Sequence, residues 1–423
     1  MKIAIIGAGF VGLTAAYKLK NSGYDVTVFE KEKIPGGLAV GFCKPNWEWS
    51  LENHYHHIFT SDTYIQNLAK EVGVRTLFKR PKSKSLVGEK IYPLDSPGDV
   101  LLFPKLALLE RIRMGLVLAF LKFNPIWKPM EKISATDWLK KYMGERAYSL
   151  LWEPLLQAKF GKFKKEIPLS WFWARIKKRS SFLGYPVGGF QNLAEKIVEK
   201  TEEKGGKFYF NSPVKEITRE KNKIKVSFLN GEDFFDKVIV TTPSSLFVKI
   251  VKKLPESYIK SLEKLKMLSA LNLVLILKKP FFNDNTYWLN ICNKEFPFLS
   301  IVEHTNFINP SHYINQHLIY IGNYLPIDHP YFKLSPEQLL KIYTPYLKKI
   351  NPNFELCILN FELFSAPFAQ PIISLNYSKI VPPFETPLEN IYLANMQQVY
   401  PWDRGTNYAV EMGERIAKIV IKC

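Results

Sequence analysis

Three glycines, Gly7, Gly9 and Gly12, stand where a short apolar run at residues 2–6 gives way to a helical stretch at 13–19. In a Gly-x-Gly-x-x-Gly pattern the first glycine permits a tight turn and the second lets the backbone approach a pyrophosphate. The third lets the helix pack on the strand. The helix start, with Phe10 and Val11 on it, adds free N–H groups and positive potential for phosphates. Gly23 ends that helix, and residues 25–29 read as a second strand. Glu30 follows, 18 residues after Gly12, with Lys31 beside it. An acid at that position accepts hydrogen bonds from a ribose diol. The spacing predicts a dinucleotide held in a βαβ unit.

Gly36 and Gly37 come next, followed by Leu38. An NAD enzyme has no general need for a glycine pair here. A longer cofactor does, because its pyrophosphate and ribityl chain cross the backbone at this point and side chains would collide. With these residues, positions 1–41 resemble the FAD-binding start of the amine oxidase, protoporphyrinogen oxidase and phytoene desaturase superfamily, which UDP-galactopyranose mutase shares. Residues 184–190, Gly-Tyr-Pro-Val-Gly-Gly-Phe, resemble that family's loop before a helix, here 191–203. Gly205-Gly206 then lead to a strand at 207–210 and to Ser212-Pro213-Val214. Asn230-Gly231 reads as a type I′ hairpin turn. Residues 237–243 resemble the family's return strand. A strand at 390–394, Asn395-Met396 and 403–409 resemble its last FAD segment, with a helix from Ala409 to about Ile421. The resemblance implies FAD, held by Gly7, Gly9, Phe10, Val11, Gly12, Glu30, Lys31, Gly36, Gly37 and Leu38. It implies that Val214 meets the adenine end through its backbone. Gly405, Thr406 and Asn407 would open the last helix toward the flavin ring. Many relatives carry Gly-Asp where this chain has Asn395-Met396. That aspartate binds the ribityl–phosphate region, where Asn395 can substitute by hydrogen bonding and Met396 cannot. The departure points to a protoporphyrinogen-oxidase-like branch.

The residues that could react are fewer. On an extended strand His54 and His56 would share a face. A zinc site would need a third and fourth ligand in register, and no metal is expected. A structural place beside the cofactor and a functional one both stay open for these histidines. The mutases that rearrange UDP-galactose carry a His-Ile-Phe segment near the isoalloxazine, and it matches His57-Ile58-Phe59. Lys159, in the run 152–161, sits either on a core helix or at the pocket. Arg404 beside Asp403 either forms a surface ion pair or holds the negative charge of reduced flavin or of an anionic substrate. His57, Lys159 and Arg404 are the catalytic candidates. The expected activity is an FAD-dependent oxidoreductase dehydrogenating a substrate bound between two domains. The alternatives are a flavin-dependent isomerase of a nucleotide sugar, like UDP-galactopyranose mutase, and a non-catalytic FAD carrier.

The elements that must position these residues imply an α/β fold. A discontinuous Rossmann-like FAD domain is expected over 1–60, 182–245 and 385–423. An α+β substrate domain is expected over 61–181 and 246–384. Its elements include helices at 61–72, 145–160, 168–179 and 335–349, a hairpin around Gly88-Glu89, and strands at 271–277 and 318–324. Ser134 to Asp137 reads as a capping box. The composition, 47% hydrophobic and 23% charged, excludes a disordered tail or a collagen-like chain. The net charge of +19 favours anionic partners. No nucleic-acid motif accompanies the basic runs, so the expected partner is a small anionic or lipid-soluble molecule. Residues 101–121 mix apolar and basic residues, as a buried helix pair or a monotopic membrane contact would. No leader and no transmembrane span are expected. The 4 scattered cysteines fit a reducing compartment. A cytoplasmic protein follows, with peripheral contact at the inner face of the membrane left open.

Overall fold

The computed structural model describes residues 1–422. Strands β1 (Lys2–Ile6), β2 (Asp25–Phe29), β3 (Lys207–Tyr209) and β4 (Lys237–Val240) precede β5 (Met267–Leu277) and β6 (His317–Leu325) along the chain; β7 (Ile358–Pro371) and β8 (Ile391–Leu393) follow. The helices that bear on the site are α1 (Phe10–Asn21), α2 (Thr63–Glu71), α3 (Leu108–Phe123), α4 (Leu169–Lys178), α5 (Gly189–Glu202) and α6 (Thr406–Lys422).

The first strands are short apolar runs such as Lys-Ile-Ala-Ile-Ile, with no polar face to give to water. Such runs suit a parallel sheet covered on both sides. β3, β2, β1, β4 and β8 form that sheet in this order, and every pairing is parallel. Ile3, Ile5, Val26, Val28 and Ile239 pack on the side of α1, α5 and α6. Ala4, Ile6, Phe29, Val238 and Val240 pack on the other side, against an antiparallel sheet formed by residues 214–235. Phe29 meets Phe228 there at 4.8 Å between ring centroids.

A second, seven-stranded sheet contains β7, β5 and β6 as neighbours. β5 pairs antiparallel with both, Leu273 opposite Ile321 on one side and Leu363 on the other. Leu271, Leu273, Leu275 and Leu277 face a core with the helix Pro336–Lys348. The alternate residues Val274 and Ile276 join the core of the first sheet. One strand thus ties the two layers together through its period of two.

Several local expectations need correction. Ser134 precedes the helix Ala135–Met143, but its side chain caps nothing, so no capping box forms there. Boxes form instead at Ser96 and at Ser335. Phe228 pairs with Gly231, which moves the hairpin turn to Leu229-Asn230. Neither Asn230 nor Gly231 has the positive φ that a type I′ Asn-Gly turn requires. Helical structure over 145–160 is interrupted by a π-turn at Tyr148–Trp152. The last helix begins at Thr406, three residues before Ala409. Helices α3 and its short predecessor Pro97–Leu102 do form a pair, but their outer side is not buried: Leu102, Leu109 and Phe123 are exposed.

Candidate active site

A cavity of about 1400 Å³ runs from the carboxyl ends of β1 and β2 to the second sheet. At one end its wall is Gly7, Gly9, Phe10, Val11, Glu30 and Lys31, with Val214 opposite. The two glycine motifs meet here. Gly9 and Gly36 form a parallel bridge, and the Gly36 N–H donates to the Ala8 carbonyl at 2.9 Å. Gly36 has φ 128° and Gly37 φ 60°, both unfavourable to a side chain. A Cβ on Gly37 would stand 3.0 Å from Gly9 Cα. On Gly9 a Cβ would meet no protein atom nearer than 3.8 Å. The protein's own packing therefore does not need a glycine there, and the space it leaves opens into the cavity. Gly12 differs. It is off the cavity wall, and a Cβ would stand 2.0 Å from the Gly7 carbonyl oxygen, so this glycine seats α1 against the turn. The Glu30 carboxylate accepts from the Ala8 N–H at 2.6 Å and the Glu32 N–H at 3.0 Å. These bonds hold it at the wall with lone pairs left for a diol.

Leu38 and Asn395 line the middle of the cavity. Asn395 Nδ2 donates to the Thr242 carbonyl at 3.0 Å and to Ser244 Oγ at 3.2 Å, and Oδ1 accepts from the Gln397 N–H. Both amide donors are engaged in joining the ends of β4 and β8. The side chain therefore has no donor to offer a phosphate, but Oδ1 keeps a second lone pair with which to accept from a ribityl hydroxyl.

The far end is aromatic and basic. Phe42, Trp49, Phe364 and Phe368 line it, with His54, His56 and Arg404. Asn272 Nδ2 donates to His54 Nδ1 at 2.8 Å and also faces the Asn53 carbonyl at 3.4 Å. The Asn53 carbonyl can only accept, so it is the amide nitrogen that faces this way; Nδ2 then donates to His54 Nδ1 and leaves the ring hydrogen on Nε2. His56 Nδ1 sits 2.6 Å from the His54 carbonyl, which makes it the donor and leaves Nε2 with the lone pair. Burial pushes His54 down to about 3 and His56 down to about 4, with the Arg404 charge adding to both. Two neutral imidazoles of opposite tautomer thus border one cavity, one able to donate and the other to accept.

Arg404 Nε donates to Gln370 Oε1 at 2.9 Å, and its guanidinium bonds the Tyr324 hydroxyl. The guanidinium lies 5.1 Å from the Tyr324 ring centroid and Lys159 Nζ lies 5.4 Å from it. Asp403 accepts from Trp171 Nε1 at 3.0 Å and Arg175 at 2.7 Å, with Lys159 Nζ at 3.8 Å. Burial opposes ionisation of Asp403, but Lys159, Arg175 and Arg404 outweigh it and hold the carboxyl well below the usual range. Burial, with the nearby Arg175 and Arg404 charges, pulls Lys159 far below the usual lysine range. Two arginines against one carboxylate leave this end net positive even with Lys159 drawn toward its neutral form.

A family model described as flavin containing amine oxidoreductase matches residues 10–421. The chain belongs to that family. Among curated relatives, coproporphyrinogen III oxidase of Staphylococcus aureus is 25% identical over 58% of this chain and 61% of its own length. The 15-cis-phytoene desaturase of Synechococcus elongatus is 24% identical over 51% of each chain. The matched stretches thus span little more than half of these relatives. Among solved structures, an oxidoreductase from Methanosarcina mazei aligns with a TM-score of 0.78 at 18% identity, covering 99% of this chain and 100% of its own. Reduced UDP-galactopyranose mutase aligns at 0.79 and 17% identity, over 100% of this chain and 95% of its own. These likenesses are of fold, and they agree with the Rossmann-like α/β sheet. FAD is the family's cofactor and this chain's. The side-chain-free cradle at Gly9 and Gly37 and the carboxylate at Glu30 fit that group.

Most of the expected cofactor residues converge on the cavity; besides Gly12, Asn407 does not. Asn407 Oδ1 accepts from the Ile65 N–H at 3.3 Å in the first turn of α2, so it caps that helix. Gly405 and Thr406 do line the cavity. Of the catalytic candidates only Arg404 reaches the wall. His57 turns the other way, packing on Phe59, Tyr287 and Trp288. Lys159 lies behind Tyr324 rather than on the wall. Asn272, Tyr324 and Gln370 were not anticipated. Asn272 carries the one usable signal, as the polar residue in the run Ala-Leu-Asn-Leu-Val-Leu-Ile-Leu at 270–277.

Proposed function

We propose that this chain dehydrogenates a largely apolar small molecule, with a negative charge accommodated beside Arg404, at the far end of the cavity. The observation that carries the reading is one continuous cavity with a glycine cradle at one end and an aromatic, electropositive wall at the other. Bound FAD supplies the hydride acceptor, and a second acceptor must reoxidise it. The chain's own residues orient and exclude. Phe42, Phe364 and Phe368 keep water from the reacting end and favour apolar substrate surface. Arg404, held by Gln370 and Tyr324, stabilises negative charge that develops nearby. His54 offers a hydrogen at Nε2 and His56 a lone pair, enough to orient a polar group without a charge change. Discontinuous FAD and substrate regions, with the boundaries anticipated from the sequence, belong to the same proposal.

The isomerase alternative rested partly on His57. That residue lies off the cavity, and the likeness to UDP-galactopyranose mutase is one of fold alone.

Anaerobic titration tests the proposal. The purified protein would be mixed with amine, porphyrin, polyprenyl and nucleotide-sugar panels while the visible flavin band is followed. Bleaching by one class, with turnover of an artificial electron acceptor, is the expected result. Conversion of a nucleotide sugar with no acceptor consumed would replace it with the isomerase.

A further inference from the structure

The apolar side chains of α3 divide sharply. Met114 and Leu121 are buried against the protein, while Leu109, Ile112, Leu116, Phe120 and Phe123 form a stripe on the outer side. Leu109 is 80% exposed, Leu116 67% and Phe123 78%. Leu102, on the preceding short helix, extends the patch. Positions 109, 112, 116, 120 and 123 follow the helical repeat, so the stripe is continuous. A soluble surface scatters such residues singly, and a contiguous patch marks a contact.

The charge around the stripe narrows the partner. Residues 105–122 hold Lys105, Arg111, Arg113 and Lys122 against Glu110 alone. Arg111, Arg113 and Lys122 bond backbone carbonyls, Arg113 to Tyr142 and Lys122 to Arg179 among them. Neutral acceptors position these cations without cancelling their charge. Trp138 and Tyr142 flank the stripe, Trp138 stacked on Phe120 at 6.2 Å and tilted against Tyr142 at 4.7 Å. Aromatic rings with a polar edge favour the bilayer–water boundary. At 16 residues α3 is about 24 Å long, less than the ~30 Å of a hydrocarbon core. No helix among the described residues is long and apolar enough to cross a membrane. A second copy of this chain is a poor occupant, because a twofold contact would set the same cations against each other.

We propose that α3 docks the protein on an anionic bilayer surface. It lies in the interface plane, with the stripe in the acyl boundary and the cations among the headgroups. α3 packs on α4, and Trp171 and Arg175 of α4 hold Asp403, the neighbour of Arg404. Docking therefore brings the reacting end of the cavity within one helix of the lipid. The proposal is independent of what the cavity oxidises.

Sedimentation of the purified flavoprotein with vesicles tests it, using phosphatidylcholine alone and phosphatidylcholine mixed with phosphatidylglycerol. The protein is expected to sediment with the mixed vesicles and to remain largely in solution with phosphatidylcholine. Salt should weaken the binding, and salt with mild detergent should release it. The variant Leu109→Ser/Leu116→Ser/Phe120→Ser changes exposed positions only. It is expected to bind mixed vesicles at least about tenfold more weakly with its flavin spectrum unchanged. Protein that stays in solution with anionic vesicles at low salt overturns the proposal. So does a variant that binds as the parent does, or one that merely converts a dimer to a monomer.

Discussion

Two histidines two positions apart do different things because each has a different neighbour at Nδ1. His54 faces an amide donor and His56 a carbonyl. Nitrogen-15 NMR of labelled protein at neutral pH is expected to show His54 as the Nε2–H tautomer and His56 as the Nδ1–H tautomer. Asn272→Leu keeps the shape and removes the donor, and should move only the His54 signal toward a tautomer mixture. Because burial holds both groups near 3 to 4, neither should titrate between pH 5 and 8. At Arg404 the expectation is electrostatic. Arg404→Ala should lower the flavin midpoint potential by about 30 mV, ~1.4 kcal/mol for a two-electron couple, and leave FAD affinity nearly unchanged, since the cradle lies at the other end of the cavity. Potentiometry and FAD titration on the same variant read both. An unchanged potential would reduce Arg404 to a partner of Asp403 and Tyr324.

At the scale of elements, Glu52 fastens α5 to the short strand that carries it. Its buried carboxylate accepts from Tyr185 Oη at 2.6 Å and from the Phe190 N–H at 2.7 Å. Burial nevertheless outweighs these bonds and pushes it up to about 7. The folded state therefore holds this proton more tightly than the unfolded chain does. The stability it contributes is complete below the unfolded value near 4.5 and is lost as pH rises through 7. Glu52→Gln removes that dependence. Relative to the parent, the variant should gain about 3 kcal/mol between pH 4 and pH 8, read as the change in Tm difference across that range. The buried histidines act with the opposite sign, which is why variant and parent must be compared at each pH. Gly9→Val should fold, since a Cβ there meets no close protein atom, yet purify colourless. The cradle was readable because Gly7, Gly9, Glu30 and Gly37 lie on one local βαβ unit whose spacing encodes its geometry. At the reacting end Arg404 and the histidine pair were readable, but Asn272, Tyr324 and Gln370 were not, because they reach these residues only through tertiary contacts from β5, β6 and β7. The His-Ile-Phe match misled for the same reason: it preserves residue type without fixing which ring faces the cavity. At Asn395, sequence offered an amide in place of an acid, but the two bonds that engage its donors lie more than 150 positions away.

For the whole molecule, the cavity is a seam between two sheets. Residues from β1, β2, β7 and the start of α6 all line it, so a ligand there ties distant stretches of the chain together. Stripping the flavin should lower Tm, and adding FAD back should restore it. At a thousandfold excess over Kd the restored stability is about 4 kcal/mol, visible by differential scanning fluorimetry as a concentration-dependent shift. NAD should not produce it. The apolar runs of β1, β2 and β5 made the layered α/β fold legible from sequence. The outer stripe of α3 was not, since apolar helical periodicity is the same for a face on the core and a face left outside. In the proposed arrangement one cavity holds FAD with its reacting end beside His54, His56 and Arg404. The difference electron density of the crystallised yellow protein tests it most directly. The pyrophosphate is expected between Gly9 and Gly37, the adenine ribose at Glu30, and the isoalloxazine facing the two histidines and Arg404. An isoalloxazine lodged away from these residues, or density for NAD instead of FAD, would contradict it.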